Sequence, residues 1–192
     1  YTNGKSVEFV AASSQFLYDA AGNAGAISTP NDLFTFSIWF KTTATPALGQ
    51  VIATLLAEQL PPPLLGDFTL SMDAAGDVGA TLRDAAGVNV VSNTIGGAYN
   101  DGVWHLAVIT WDGANFTLFV DPGDPGGQTD VAITGTRRGS TTVPEVASLY
   151  LGTVGGSAYF DGYLDEAAYW NAPFDLTAAT ELFDGRRAMN LL

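Results

Sequence analysis

The stretch NDGVWHLAVITWDGANFTLFVD, residues 100–121, decides the fold. From Val103 to Trp111 the residues are apolar or β-branched on both sides of a period-2 alternation. Val103, His105, Ala107, Ile109 and Trp111 fall on one face, and Trp104, Leu106, Val108 and Thr110 on the other. A strand that is apolar on both faces belongs inside a sheet whose two surfaces are both covered. Asp112-Gly113-Ala114-Asn115 then supplies the positive φ of a tight turn, and Phe116 to Val120 returns as the partner strand. The spacing predicts a central hairpin, with His105 as a structural imidazole on its apolar strand.

Outward from this hairpin the chain is punctuated at short intervals. Strands are expected at 6–10, 15–18, 34–41, 50–56, 67–72, 78–83, 88–92, 103–111, 116–120, 129–134, 148–152 and 162–170. Asp-Ala-Ala-Gly recurs at 19–22, 73–76 and 84–87, where Asp accepts turn hydrogen bonds and Gly takes the left-handed conformation. These copies read as hairpin turns and not as a domain repeat. A helix is expected from a Thr177 N-cap through Phe183, with Gly185 as its stop. The fold class is all-β: a two-sheet antiparallel jelly-roll sandwich with one short C-terminal helix, spanning residues 1–192 as a single domain.

Composition narrows the function. Hydrophobic residues make up 47% and charged residues 14%, which suits strands joined by tight turns. Seven Lys and Arg against 20 Asp and Glu give a net charge of -13, a field that repels nucleic acid and anionic membrane surfaces. Only five of the 20 acids are glutamates, and the aspartates stand mostly beside Gly, which favours turn chemistry and solubility over a metal-binding purpose. With 0 Cys there is no disulfide, thiol nucleophile or cysteine-bound metal. No apolar run reaches the roughly 18 residues of a membrane span, so membrane insertion is not expected. A first residue of Tyr reads as a processed or excised chain.

Three motifs, in order, resemble one family. Asp101-Gly102-Val103-Trp104-His105, Thr110-Trp111-Asp112-Gly113 and Leu118-Phe119-Val120-Asp121 are similar to the hairpin of laminin-G-like and pentraxin-like domains. Before it, Ser6 to Phe9, Gln15-Phe16-Leu17 and Phe34 to Lys41 resemble the opening strands. After it, Leu149 to Gly152, Phe160 to Glu166 and Tyr169-Trp170-Asn171 resemble the closing strands. The resemblance covers nearly the whole chain and implies the concanavalin A-like lectin/glucanase superfamily. That scaffold hosts lectins, glucanases, adhesion modules and virion parts, so it implies a fold more than a function. The pentraxin likeness is incomplete: Leu106 takes the place of a signature histidine, and the clustered Glu-Gln-Asp calcium loop is missing.

The glucanase pattern Glu-x-Asp-x-x-Glu, which sets two carboxylates on one strand face, is also missing. Glu8, Glu58, Glu145, Glu166 and Glu181 are followed two positions on by Val10, Leu60, Ala147, Ala168 and Phe183. Nor is there a Gly-x-Ser-x-Gly elbow. The chain is therefore expected not to be an enzyme.

Two loops break the rhythm. Glu58 to Gly66 holds three consecutive prolines among leucines, a stiff segment whose Leu60, Leu64 and Leu65 either dock a partner or cover the sandwich edge. Asp121 to Asp130 gathers Asp121, Asp124 and Asp130 among turn formers, and together with Asp165 these are the candidates for a structural calcium, the only cofactor considered. Asp165 and Glu166 lie among apolar neighbours, so at least one should turn inward, held by hydrogen bonds or by a cation. Asn115-Phe116-Thr117 is a glycosylation sequon that reads as a chance match inside the hairpin.

Two functions remain. The first is a non-catalytic recognition or adhesion module that binds a glycan or a protein surface, with aromatic platforms for the apolar sugar face and Asp or Asn for the hydroxyls. Tyr99, Asn100, Asp101 and Tyr159, near strand ends, are its candidate ligand residues. The second is a structural block of a phage or virus particle or surface appendage, working as a homo-oligomer or within a larger assembly. Both place the chain outside the cell or on a virion or cell surface.

Overall fold

The computed structural model describes residues 6–18, 33–47, 49–58, 65–83, 89–123, 128–132, 146–154 and 157–187. Its strands are β1 (Val7–Phe9), β2 (Leu17–Tyr18), β3 (Phe34–Lys41), β4 (Gln50–Glu58), β5 (Leu65–Met72), β6 (Val78–Arg83), β7 (Asn89–Ile95), β8 (His105–Trp111), β9 (Asn115–Val120), β10 (Gln128–Ala132), β11 (Val146–Leu151) and β12 (Gly162–Trp170). One helix, α1 (Leu176–Arg187), follows. All pairings are antiparallel, in two six-stranded sheets of order β1-β12-β3-β8-β9-β10 and β2-β11-β4-β5-β6-β7. The jelly-roll expectation is met.

Alternation on the strands builds the core between the sheets. Phe34, Phe36, Ile38 and Phe40 of β3 and Ala107, Ile109 and Trp111 of β8 point inward from the first sheet, against Phe68, Leu70, Met72, Val78, Ala80 and Leu82 of the second. The expected hairpin is central: β8 lies between β3 and β9, and every residue of β8 is buried. Its other face meets α1, where Leu106 and Val108 join Trp39, Phe119, Ala179 and Phe183 in a second apolar cluster. Ala179, Leu182 and Phe183, spaced three and four apart, form the helix stripe that covers it.

Three expectations about local structure need correction. The strand begins at His105 instead of residue 103, because Asp101 Oδ1 accepts the Val103 N–H at 2.9 Å and Gly102 takes φ 83, so residues 101–104 form a turn. The helix is capped by Asp175 instead of Thr177: Asp175 Oδ1 accepts the Ala178 N–H at 2.9 Å. Gly185 lies inside α1 and does not end it. Of the Asp-Ala-Ala-Gly copies, 73–76 is the β5–β6 turn, with Asp73 Oδ1 accepting from the N–H groups of Ala75 and Asp77. The other two copies lie outside the described residues.

Candidate functional site

One end of the sandwich collects most of the polar chemistry, because β3, β5, β7 and β9 end there and β4, β6, β8 and β12 begin there. At its centre His105, 6% exposed, is held between two carboxylates. Nδ1 lies 2.6 Å from Asp121 Oδ2, and Nε2 lies 3.0 Å from Asp101 Oδ1. Burial pulls the imidazole pKa down, but the hydrogen bond and charge of Asp121, joined by those of Asp101, outweigh it and hold the pKa above the ordinary histidine value. Asp101 mirrors this. Desolvation pushes its carboxyl up, yet the Val103 N–H and His105 together hold it below the usual value.

The hairpin geometry explains the triad. Asp121 has φ 48; its N–H donates to the Leu106 carbonyl at 2.9 Å, and its Oδ1 accepts the Leu106 N–H at 2.8 Å. It thus closes the open end of β8–β9 and ties His105 to it. Tyr99 packs edge-on to the imidazole at 5.0 Å, and Phe40 lies 5.5 Å away. With both ring nitrogens engaged by carboxylates, the imidazolium has no nitrogen left to accept a proton from a nucleophile.

Around this triad lie two concavities. A basin of about 210 Å³ is lined by residues including Glu8, Lys41, Thr42, Asp161 and Tyr163, with the Tyr163 hydroxyl donating to Glu8 Oε1 at 2.8 Å. Asn100 borders it: Nδ2 donates to the Ala44 carbonyl at 3.4 Å. The Asn100 side chain also lies over Gly76, where a Cβ would stand 2.2 Å from Oδ1. The other concavity is a groove of about 680 Å³ on the outer face of the second sheet, with Gln50, Val51, Thr69, Ser71, Asp73 and Ala158 in its walls. Gln50 links the two. Its Nε2 donates to Thr42 Oγ1 at 3.5 Å, and its Oε1 accepts the Asp161 N–H at 3.0 Å.

One residue of that groove's wall, Thr69, belongs to a register row that runs across the second sheet. Tyr18 stands opposite Tyr150, Tyr150 opposite Thr54, Thr54 opposite Thr69, and Thr69 opposite Thr81. Their strand neighbours Leu149, Leu151, Phe68, Leu70, Ala80 and Leu82 pack into the core, so this row faces outward. Thr54 is fully covered, its Oγ1 donating to the Phe68 carbonyl at 2.8 Å and lying 3.1 Å from Thr69 Oγ1. At the β2 edge Tyr18 and Tyr150 stack at 5.6 Å and 12°. Phe16 completes the cluster, 5.8 Å from Tyr18 and 6.4 Å from Tyr159.

The structure thus sets Tyr99 and Asp101 against His105, holds Asn100 against Ala44 and Gly76, and sends Tyr159 to the aromatic edge. Tyr18, Tyr150, Thr69 and Ser71 were not singled out from the sequence. For Thr69 and Ser71 the signal is the polar half of a one-sided alternation in β5; Tyr18 and Tyr150, on β2 and β11, share no such local pattern.

Of the four calcium candidates, Asp121 and Asp165 stand apart. Asp121 uses both oxygens on the N–H donors of Leu106 and His105. Asp165 stands opposite Trp39, which stands opposite Leu106, so it lies three strand spacings from Asp121, roughly 14 Å. Asp130 stands opposite Thr117 on the edge strand β10, and Asp124 lies outside the described residues. Among the described residues no group of three or more His, Asp or Glu could hold a metal ion. Neither Asp165 nor Glu166 is buried as expected. A bulge between Asp165 and Ala168, with Glu166 at φ 48, turns Glu166 into solvent. Leu65 opens β5 opposite Ala57, while Leu60 and Leu64 lie outside the described residues. No described helix is long and apolar enough to cross a membrane.

No curated protein matches the chain by sequence. Among solved structures it is similar to the CBM40 module of the Ruminococcus gnavus IT-sialidase (TM-score 0.71, 15% identity, 94% of this chain and 97% of that one). The same module bound to alpha2,3 sialyllactose gives a TM-score of 0.70 at 16% identity, with 92% and 96% covered. A NanB sialidase of Streptococcus pneumoniae gives 0.66 at 17% identity, covering 92% of this chain and 27% of the sialidase. At these identities the likeness is one of fold. The chain spans nearly all of the CBM40 module and about a quarter of the whole sialidase, and these relatives lend no support to the particle-block alternative. The family model described as the concanavalin A-like lectin/glucanases superfamily matches residues 18–179, and the chain belongs to that superfamily.

Proposed function

We propose that the chain is a non-catalytic glycan-recognition module acting outside the cell or at its surface, and that it binds along the outer face of the second sheet. The observation that supports the reading is the 680 Å³ groove walled by Thr69, Ser71 and Asp73, with Tyr18 and Tyr150 farther along the register row of Thr69. A sugar presents an apolar C–H face and a rim of hydroxyls. The stacked tyrosines with Phe16 and Tyr159 offer aromatic surface to the first, and Thr69, Ser71 and Asp73 offer hydrogen bonds to the second. A net charge of -13 favours neutral over anionic glycans. Non-catalysis is supported by the double engagement of His105 and by the missing glucanase pattern.

Electrophoresis through gels containing neutral polysaccharides tests this. The chain should be retarded by at least one polysaccharide, and Tyr150→Ala should run with less retardation. Free migration in all of them would remove the glycan reading. Release of reducing sugar, abolished by Glu166→Gln, would replace it with an enzyme.

A further inference from the structure

We propose that the chain holds a second saccharide site at the opposite end of the sandwich, between the β8–β9 turn and the start of α1, which takes a neutral hexose or N-acetylhexosamine unit. A cavity of about 450 Å³ opens there on the outer face of the first sheet. That volume lies within the usual range of small-ligand pockets, about 300–1,000 Å³. Asp112, Asn115, Thr117, Phe119, Phe174 and Asp175 contribute to its walls.

Thr117 is the feature that a packing role leaves unexplained. It is 8% exposed and lines the cavity, yet its hydroxyl has no hydrogen-bond partner among the described residues. Its neighbour across the ladder, Thr110, is by contrast fully used: Oγ1 lies 3.1 Å from Thr35 Oγ1, donates to the Phe34 carbonyl and accepts the Phe174 N–H. The hydroxyl is open to the cavity, where a ligand hydroxyl can take the place of water.

Acceptors surround this donor. Asp112 Oδ1 accepts from the N–H groups of Ala114 and Asn115, and Asp112 Oδ2 accepts Asn115 Nδ2 at 3.0 Å. Asn115 is thereby fixed, with its Oδ1 given no donor by the described residues. Asp175 spends Oδ1 on capping α1 and keeps Oδ2. Phe174, paired with Trp170 at 4.8 Å, and the buried Phe119 supply apolar surface. A fixed amide oxygen, a carboxylate oxygen and an open hydroxyl beside aromatic rings fit one sugar residue. No Lys, Arg or His lines the cavity, and its two carboxylates repel an acidic sugar. The Asn115 and Thr117 of the sequon thus have a use in the fold itself.

This site shares no lining residue with the groove on the second sheet, so either can fail without the other. The test is a titration of ¹⁵N-labelled chain with methyl β-glucoside, methyl β-galactoside and N-acetylglucosamine, with N-acetylneuraminic acid as the acidic control. At least one neutral sugar should give saturable shifts at the Asn115 side-chain amide and at the Ala114 and Leu176 backbone amides, while the acidic sugar gives none. Thr117→Val should weaken that binding roughly three- to tenfold without lowering the melting temperature, since it removes one unpaired hydroxyl. Thr117→Ser should restore binding, and Phe174→Ala, at a half-buried ring, should weaken it independently. Tyr150→Ala should leave these shifts unchanged. Silence at these amides with all three neutral sugars up to their solubility would overturn the proposal, as would wild-type binding by both Thr117→Val and Phe174→Ala.

Discussion

The two sheets share one core but treat their outer faces in opposite ways. The outer face of the first sheet carries Trp39, Leu106, Val108 and Phe119, and α1 closes over it with Ala179 and Phe183. The outer face of the second sheet carries Thr69, Ser71 and Thr81, only partly buried, with tyrosines at its edge. The difference follows from the strands. β3, β8 and β9 carry apolar residues on both faces and need a cover, whereas β5 and β6 alternate apolar with small polar residues and need none. A covered face contributes stability, and the part of the second face that Thr69, Ser71 and Thr81 leave open beyond the buried Thr54 is available for recognition.

The sharpest way to break this contrast is to remove equivalent side chains from the two faces. Trp39 stacks on Phe183 at 5.7 Å and 17°, so Trp39→Ala should cost on the order of 3–5 kcal/mol in denaturant unfolding. Ser71→Ala should stay within about 0.5 kcal/mol. A loss above about 1 kcal/mol at Ser71 would mean that its hydroxyl is buried and bonded, and that the second face is covered too. Inside the shared core, Trp111 carries a buried Nε1 with no partner. Trp111→Ala should again cost about 3–5 kcal/mol, but Trp111→Phe should cost under about 1.5 kcal/mol, because it also removes an unsatisfied N–H.

The rim triad gives a smaller, pH-dependent effect. A histidine whose folded pKa is raised contributes stability that is complete below its unfolded value of about 6.5 and is lost as pH rises through the folded value. Asp101, lowered, contributes above about 3.8, and that contribution is lost as pH falls through its folded value. Thermal melts should therefore show a fall in stability as pH rises from about 6.5 through the raised folded value, and His105→Gln should flatten it. If the wild-type curve is already flat there, His105 is not held as an imidazolium. The smallest effect belongs to the helix cover. A Cβ at Gly185 would meet nothing within 4 Å, so Gly185→Ala should stabilise by about 0.5–1 kcal/mol.

Much of the sandwich is legible in the sequence because its strands are bounded by turn residues and patterned by burial. The central hairpin can be read from Val103 to Asp121 alone. The helix ends could not, because Asp175 and Thr177 are both good caps and only the fold decides which carboxyl or hydroxyl reaches a free N–H. The site was harder still. Asp101, His105 and Asp121 lie 4 and 16 residues apart, and their meeting depends on the hairpin register that sets Asp121 against Leu106. The row from Tyr18 to Thr81 draws on β2, β11, β4, β5 and β6, whose order in the sheet is not their order in the chain. No local pattern reports such an alignment. Tyr99 and Asn100 lie at the rim, between β7 and β8, and nearness to a strand end is a property that sequence does expose.

The central claim is that the open face of the second sheet recognises a glycan through its aromatic edge. Its most direct test is calorimetric titration of the best-retarding neutral oligosaccharide into wild type and into the double variant Tyr18→Ala/Tyr150→Ala. Tyr18 is 54% exposed, so the double variant should keep its melting temperature within a few degrees. The account predicts at least a tenfold loss of affinity, about 1.4 kcal/mol. Unchanged affinity in a fully folded double variant would contradict it and move recognition off this face.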